Sequence, residues 1–279
     1  MINLAKNPEK DYEAMNVGQK AARIGLDSEK EIINAINHNP DFLQLFIQCL
    51  NNLGFDTEGT IKAEKKATQT KKDLIIEIEG NQIGISVKSS MKTSFHQVDR
   101  RRLENWERFL NMPNEIYQTI RQAIMRKARV SNAIFILEEN RNQIQEFIQN
   151  NYKAILTEIF TKSEENLVLL LINNKMSKKM YFYRMKDVLA FLFTNIRNYI
   201  SFSSKGIIKL GDFISIQRKG GNGERITIPK TNYSHPGNDL QFKFSPLRFA
   251  SYIENNSNID FCLLDYNNLK LLPPNKQKK

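Results

Sequence analysis

Two short runs of the chain place a carboxylate and an ammonium where they could work together. Asp73-Leu-Ile-Ile-Glu-Ile-Glu79 and Gln82-Ile-Gly-Ile-Ser-Val-Lys-Ser89 are rich in β-branched residues and flank Gly80-Asn81. Such runs favour strands, and a Gly/Asn pair between them signals a two-residue hairpin turn. With Gly80 and Asn81 as the turn, cross-strand partners have numbers summing to 161. Asp73 then opposes Lys88, and Ile75 opposes Ser86. Side chains alternate faces along a strand, so Asp73, Ser86 and Lys88 share one face at the open end of the hairpin. Directly opposed Cβ atoms lie about 4.5–5.5 Å apart. The pair supports two chemistries. One is a cross-strand ion pair worth about 0.2–1 kcal/mol. The other is phosphodiester hydrolysis, in which the carboxylate holds a divalent cation while the lysine orients or activates the attacking water and offsets phosphate charge.

Asp73, followed after twelve residues by Ser86-Val87-Lys88, resembles the PD-(D/E)XK nuclease motif, and more closely that of the type II restriction endonucleases. In that family one strand begins with Asp and the neighbouring strand returns with Glu-X-Lys. An upstream helix often adds a Glu, and Gly25-Leu-Asp-Ser-Glu29 resembles that element. The resemblance covers roughly residues 24 to 137. It implies a restriction-endonuclease-like α/β core with a central mixed β-sheet flanked by helices, plus a β-rich C-terminal part. It implies Mg2+ as cofactor, held by Asp73 and Glu29, with Asp73, Ser86, Lys88 and Glu29 as catalytic residues. It also implies double-stranded DNA as substrate, products ending in 5′-phosphate and 3′-hydroxyl, a homodimer, and a companion DNA methyltransferase. Lys72 stands where the family has Pro, and Ser86 stands where it has the second acid. The Ser86 hydroxyl or the Val87 carbonyl could serve in place of that acid, or Glu29 could supply it. Glu77 shares the face of Asp73 but lies about 13 Å along the strand, nearer the turn.

Charge agrees with a polyanionic partner. The 279 residues contain 41 Lys and Arg against 30 Asp and Glu, for a net charge of +11. A surface of that sign attracts nucleic acid or an anionic membrane. No apolar run reaches the roughly 18–20 residues of a membrane span, and the N-terminal segment lacks the apolar core of a signal peptide. Cys49 and Cys262 are the only cysteines and match no metal or redox spacing, which leads to an expectation of two free thiols and a cytoplasmic setting. His38, His96 and His235 are too scattered for a zinc site. Two alternatives stand beside the restriction-enzyme reading: a repair or recombination nuclease of the same fold, and a non-catalytic nucleic-acid-binding protein in which Asp73 and Lys88 form only a salt bridge.

These residues need elements to hold them. Residues 1–20 read as a polar arm. Asp27 and Ser28, with Glu31 three residues on, read as a capping box for a helix through Ile32, Ile33 and Ile36. A second helix is expected over Phe42–Leu53, ending at Gly54. Residues 57–72 read as loop or edge strand. From Gln97 to Arg129 the pattern is helical with a break near Pro113. Ala133–Leu137 and Leu167–Ile172 read as buried strands, Asn142–Phe160 as a helix, Met180–Tyr183 as a strand and Lys186–Tyr199 as a helix. After Ser201, FISIQRKGGNGERITI reads as a hairpin around a Gly-rich turn, and DLQFKFS as a further strand. Residues 1–200 are taken as the nuclease core and 201–279 as its β-rich extension.

Two basic segments are candidates for DNA contact. Arg100, Arg101 and Arg102 sit at an expected helix start, where cations oppose the helix dipole. Gln217, Arg218, Lys219 and Arg225 flank the Gly-rich turn, and their donors match phosphates and purine edges. Trp106 is expected in the core, Asp99 as a helix cap, and Gln97 as a possible support for the site.

Overall fold

The computed structural model describes residues 17–65, 70–162, 164, 166–196, 198–221, 226–256 and 259–269, with side chains from residue 25 onward. In chain order the elements are α1 (Val17–His38), α2 (Pro40–Asn52), β1 (Ile61–Lys65), β2 (Leu74–Ile78), β3 (Asn81–Ser90) and β4 (His96–Arg101). These are followed by α3 (Leu103–Leu110), α4 (Asn114–Arg129), α5 (Arg141–Thr161), β5 (Leu167–Asn174), β6 (Lys179–Arg184) and α6 (Met185–Ile196). The chain ends with β7 (Ile200–Phe202), β8 (Ile208–Leu210), β9 (Ile214–Arg218), β10 (Leu240–Phe244), α7 (Pro246–Asn256) and β11 (Phe261–Asp265).

The chain divides into two compact units, and each is built from separate stretches of sequence. The division does not fall at residue 200, because β11 returns to the first unit.

In the first unit, six strands form a mixed sheet in the order β1-β2-β3-β5-β6-β11. The β3–β5 pair is parallel and the others are antiparallel. Alternation divides the sheet. Leu74, Ile76, Ile83, Ile85, Val87, Leu169, Leu171 and Phe182 pack with Ile32, Ile36, Phe42 and Phe46 of α1 and α2 in one core. Asn39 caps α2, its side chain accepting from Phe42 N at 3.1 Å, and Pro40 occupies the first turn.

The capping box expected at Asp27–Glu31 does not form. Helix α1 runs through it, and Ser28 lies mid-helix and fully buried. Cys49 and Cys262, expected as separate thiols, are joined by a disulfide with their Cα atoms 5.2 Å apart. Their separation of 213 residues hides that α2 packs against β11. No helix among the described residues is long and apolar enough to cross a membrane.

In the second unit, five strands form an antiparallel sheet in the order β4-β10-β9-β8-β7. Its inner face carries Phe242 against Trp106 at 4.6 Å, and Phe244 against Phe160 and Phe249 at 5.2 and 5.5 Å between ring centroids. Three sequence expectations fail in this unit. Residues 96–101 are a strand, not the start of a helix, because β10 pairs with them. Residues 133–137 are not a strand, although Phe135 and Ile136 are buried; their amides bond to Lys205 O and Gly206 O. Strand β9 pairs with β8 and β10 instead of folding back on residues 226–228. Residues 222–225 of the expected hairpin turn, Arg225 included, lie outside the described residues.

Gly84 is where β3 changes register on β5. Its amide donates to Asn166 O at 2.7 Å, and a Cβ there would collide with that carbonyl and with the Lys72 side chain. Gly84→Ala is expected to cost about 1–3 kcal/mol in denaturant unfolding. Gly25→Ala serves as the control. Gly25 lies inside α1 with nothing within 4 Å of the added carbon, so this change is expected to stabilise by up to about 1 kcal/mol.

Candidate active site

The hairpin closes one residue earlier than the sequence suggests. Glu79 and Gly80, with φ of 45° and 82°, form the turn, and Ile78 pairs with Asn81. Positive φ at both central positions marks the turn whose twist suits a hairpin. Partners therefore sum to 159, as Leu74 with Ile85 shows. The two-residue slip leaves facing unchanged, since strand side chains repeat every two residues. Asp73 consequently lies opposite Ser86 instead of Lys88, and all three remain on one face, away from the core of α1 and α2.

One oxygen organises them. Asp73 Oδ2 accepts from the Val87 amide at 2.7 Å, from Lys88 Nζ at 3.1 Å and from Ser86 Oγ at 3.2 Å. Lys88 Nζ also donates to Ser86 Oγ at 2.7 Å and to Val87 O at 3.0 Å. The three hydrogens of the ammonium thus meet three oxygens. Asp73 and Lys88 are both partly exposed, their side chains retaining 25% and 18% of their surface, while Ser86 is buried. A buried hydroxyl between a carboxylate and an ammonium is fully satisfied, and a ligand can still approach the two charges.

The other expected residues are placed as follows. Glu29 lies on α1 and pairs with Lys65 Nζ at 2.8 Å. Glu77 opposes Gln82 beside the turn, on the face of Asp73 but toward the far end of the hairpin. Among the described residues, no three His, Cys, Asp or Glu side chains converge as a metal cage.

A group that sequence reasoning missed lies on the opposite face of β3. Ser89 Oγ is 2.6 Å from Ser28 Oγ, Asn173 Nδ2 donates to Ser28 Oγ at 3.1 Å, and Tyr266 OH donates to Asn173 Oδ1 at 2.8 Å. Burial pushes the Tyr266 hydroxyl up to about 12, so it remains a donor. This chain of bonds ties α1, β3, β5 and the end of β11 together directly behind Lys88. The sequence presents Ser28 only as a helix cap, and Ser89, Asn173 and Tyr266 carry no spacing signature that would single them out.

The arginine run splits by strand alternation and then by the start of α3. Arg100 lies on the outer face of the second sheet, 3.5 Å from Asp239 and 40% exposed. Arg101 turns inward. It bonds Asp99 through Nε and Nη2 at 2.9 and 2.8 Å, bonds Glu158 through Nη1 at 2.7 Å, and stacks 4.6 Å over Trp106. Burial alone lowers its pKa, but the two carboxylates together outweigh burial and raise it. Asp99, expected as a helix cap, is instead Arg101's partner. Arg102 donates to Tyr233 O at 2.7 Å and lies 3.7 Å from Asp239.

Gln217 stands on the outer face opposite Gln241, whose amide donates to Gln97 Oε1 at 2.7 Å. Arg218 points inward and is buried, while Lys219 is half-buried. The outer-face positions of β4, β9 and β10 thus carry Gln97, Arg100, Ser215, Gln217, Gln241 and Lys243, with no carboxylate among them.

No family model matches the chain, and no curated protein matches it. The architecture, a mixed sheet flanked by helices, is that of a restriction-endonuclease-like α/β fold. Among solved structures, the chain is similar to restriction endonuclease MspI in complex with its cognate DNA. The TM-score is 0.53 at 12% identity, over 84% of this chain and 95% of that one. At that identity the likeness concerns the fold.

Arg101 illustrates how a basic residue can be structural. Arg101→Met leaves Asp99 and Glu158 buried without their cation, so stability is expected to fall by about 3 kcal/mol. Unchanged stability in denaturant unfolding would mean that Arg101 is not the structural cation of this pair.

Proposed function

We propose that the chain is a type II restriction endonuclease of the PD-(D/E)XK class, cutting double-stranded DNA to leave 5′-phosphate and 3′-hydroxyl ends. The observation that carries the reading is the convergence of Asp73, Ser86 and Lys88 on one partly exposed sheet face. The restriction-endonuclease-like fold and the DNA bound to its structural neighbour MspI support it. Outer-face positions of the second sheet add Arg100, Lys243 and glutamine donors suited to phosphates and base edges.

The donor set suits one hard cation held partly by its substrate. Asp73 offers a carboxylate, Val87 a carbonyl and Ser86 a hydroxyl, all hard oxygens. Magnesium is commonly held by one or two carboxylates together with substrate phosphate and water. When bound, the ion neutralises charge at the phosphate and acidifies a water. Glu29 remains a candidate second carboxylate if it leaves Lys65. The chain's own part is positional. Asp73 anchors the cation end of the site, and Lys88 orients the attacking water and offsets charge on a non-bridging oxygen. Water adds its hydroxide to phosphorus as the P–O3′ bond breaks, and the departing O3′ takes a proton. A homodimer fits this reading, since palindromic targets match two-fold symmetry. A companion DNA methyltransferase and a cytoplasmic setting also belong to it. In that setting α2 and β11 must stay packed even where the Cys49–Cys262 bond is reduced.

Lys88 Nζ is bonded to Asp73 Oδ2, Ser86 Oγ and Val87 O, the oxygens that would be offered to a cation. Lys88→Met is therefore expected to abolish cutting while tightening magnesium binding measured by calorimetry without DNA. Asp73→Asn is expected to lose both. Discrete bands from a plasmid digest, with the ends sequenced, test the restriction reading itself. Near-normal cutting by Lys88→Met would end the assignment, and magnesium affinity unchanged in Asp73→Asn would remove Asp73 as a ligand.

A further inference from the structure

Strand β4 is an edge of the second sheet, with β10 as its neighbour. Gln97 and Arg100 both lie on its outer face, yet they are three residues apart. In a regular strand that odd spacing sends side chains to opposite faces. The ladder with β10 shows how both come to face outward. Phe242 pairs with Asp99 and Lys243 with Gln97, so the register skips Val98. This bulge turns Gln97 outward, while Asp99 stays on the inner face with Arg101. Bulges are common at sheet edges and beside functional sites, where they re-aim a side chain.

Each of the two side chains is steered by one neighbour and open to solvent. Gln97 is exposed, and the buried Gln241 donates from Nε2 to Gln97 Oε1 at 2.7 Å. That bond fixes which end of the Gln97 amide is oxygen and which is nitrogen. Oε1 keeps a second lone pair beside the two N–H donors of Nε2. Arg100 stands opposite Gln241 in the ladder and is 40% exposed, with Asp239 meeting its Nε at 3.5 Å. An amide that offers donor and acceptor side by side matches N7 and the N6 amino group of adenine, and the Nη end of a guanidinium matches O6 and N7 of guanine. Five strands spaced about 4.8 Å span about 19 Å, whereas the major groove is about 12 Å wide and admits a two-stranded ribbon. The sheet can therefore enter the groove only by an edge, and the β4–β10 edge carries these donors.

We propose that Gln97 and Arg100 read base edges in the major groove, Gln97 an adenine and Arg100 a guanine, with Gln241 positioning Gln97. The inference rests on the DNA reading above and names part of the target, which contains both purines. Of the two basic segments that the sequence offers, it selects the first. In the second, Arg218 is buried on the inner face and Gln217 stands on β9, the third strand from the edge.

The test is selection by the full chain from duplexes with a randomised centre, without magnesium, followed by sequencing of the bound fraction. The parent protein is expected to enrich a motif that holds an adenine and a guanine. Arg100→Ala should lose the guanine preference at one position and keep the rest, and Gln97→Ala should do the same for the adenine, each by about tenfold or more. Gln241→Met should relax the same adenine position by a smaller factor, whereas a merely structural role would weaken all sequences alike. If Gln241→Met does not fold, the two exposed positions carry the test. No enriched motif in the parent overturns the proposal, as do preferences that survive in both Gln97→Ala and Arg100→Ala. So does uniform weakening with a salt slope smaller by about one, the mark of a phosphate contact. Discrete plasmid cutting alongside any of these failures leaves the nuclease reading standing and removes only the base readers. Position-specific losses without cutting do the reverse, keeping the readers on a protein that binds DNA but does not cut it.

Discussion

Strand β3 is hydrogen-bonded on both sides, antiparallel to β2 and parallel to β5, and this double pairing is the constraint from which the first unit follows. A strand held on both edges cannot rotate, so its two faces are committed. Odd positions, Ile83, Ile85 and Val87, enter the apolar core. Even positions, Ser86 and Lys88, are delivered to the opposite face. The parallel partner requires a long connection between β3 and β5, and the chain uses that interval for much of the second unit. Gly84 allows the close approach to Asn166 at which the parallel register shifts.

Within that frame, Asp73 stands just ahead of the first residue of β2 and takes over a backbone role. The Val87 amide bonds to its side-chain Oδ2. A carboxylate anchored by a strand amide has little rotational freedom, and Lys88 is then oriented by the same oxygen. The ion pair itself contributes modest stability at this exposure. Its value lies in pre-organisation, because both charges are fixed before any substrate arrives. Behind them, the buried bonds among Ser28, Ser89, Asn173 and Tyr266 fix how α1 sits on the sheet. A network of this kind is fully satisfied, so it specifies position without leaving buried polar groups unpaired.

The second unit shows how little net charge says about individual arginines. Arg101 is neutralised by Asp99 and Glu158 and covers Trp106. Arg102 is spent on Tyr233 O and Asp239. Arg100 keeps an exposed flank, and Arg218 is buried with its Nε on the neutral Asn238 side chain. Four arginines of equal formal charge thus have four different free energies of interaction, set by burial and by the carboxylates that folding brings near.

Much of this was legible in the sequence, and the reason is local. The β-branched runs at 73–89, the helices over 40–52, 141–161 and 185–196, and the strands at 167–174 and 179–184 follow from residue preference and period, which the chain carries at every position. The shared face of Asp73, Ser86 and Lys88 was legible too. It depends only on the parity of the register, so it survived a turn placed one residue late. What the sequence could not decide were matters of partnership. Residues 96–101 have a helical pattern but become a strand because β10 offers them a ladder. Ser28 has the look of a cap but is buried mid-helix because Ser89 and Asn173 answer its hydroxyl. Cys49 and Cys262 meet because α2 packs on β11, and Arg218 turns inward because β9 pairs with β10 and β8 instead of folding back on itself. Each of these outcomes depends on a free energy shared between residues far apart in the chain, and no window of sequence contains both partners.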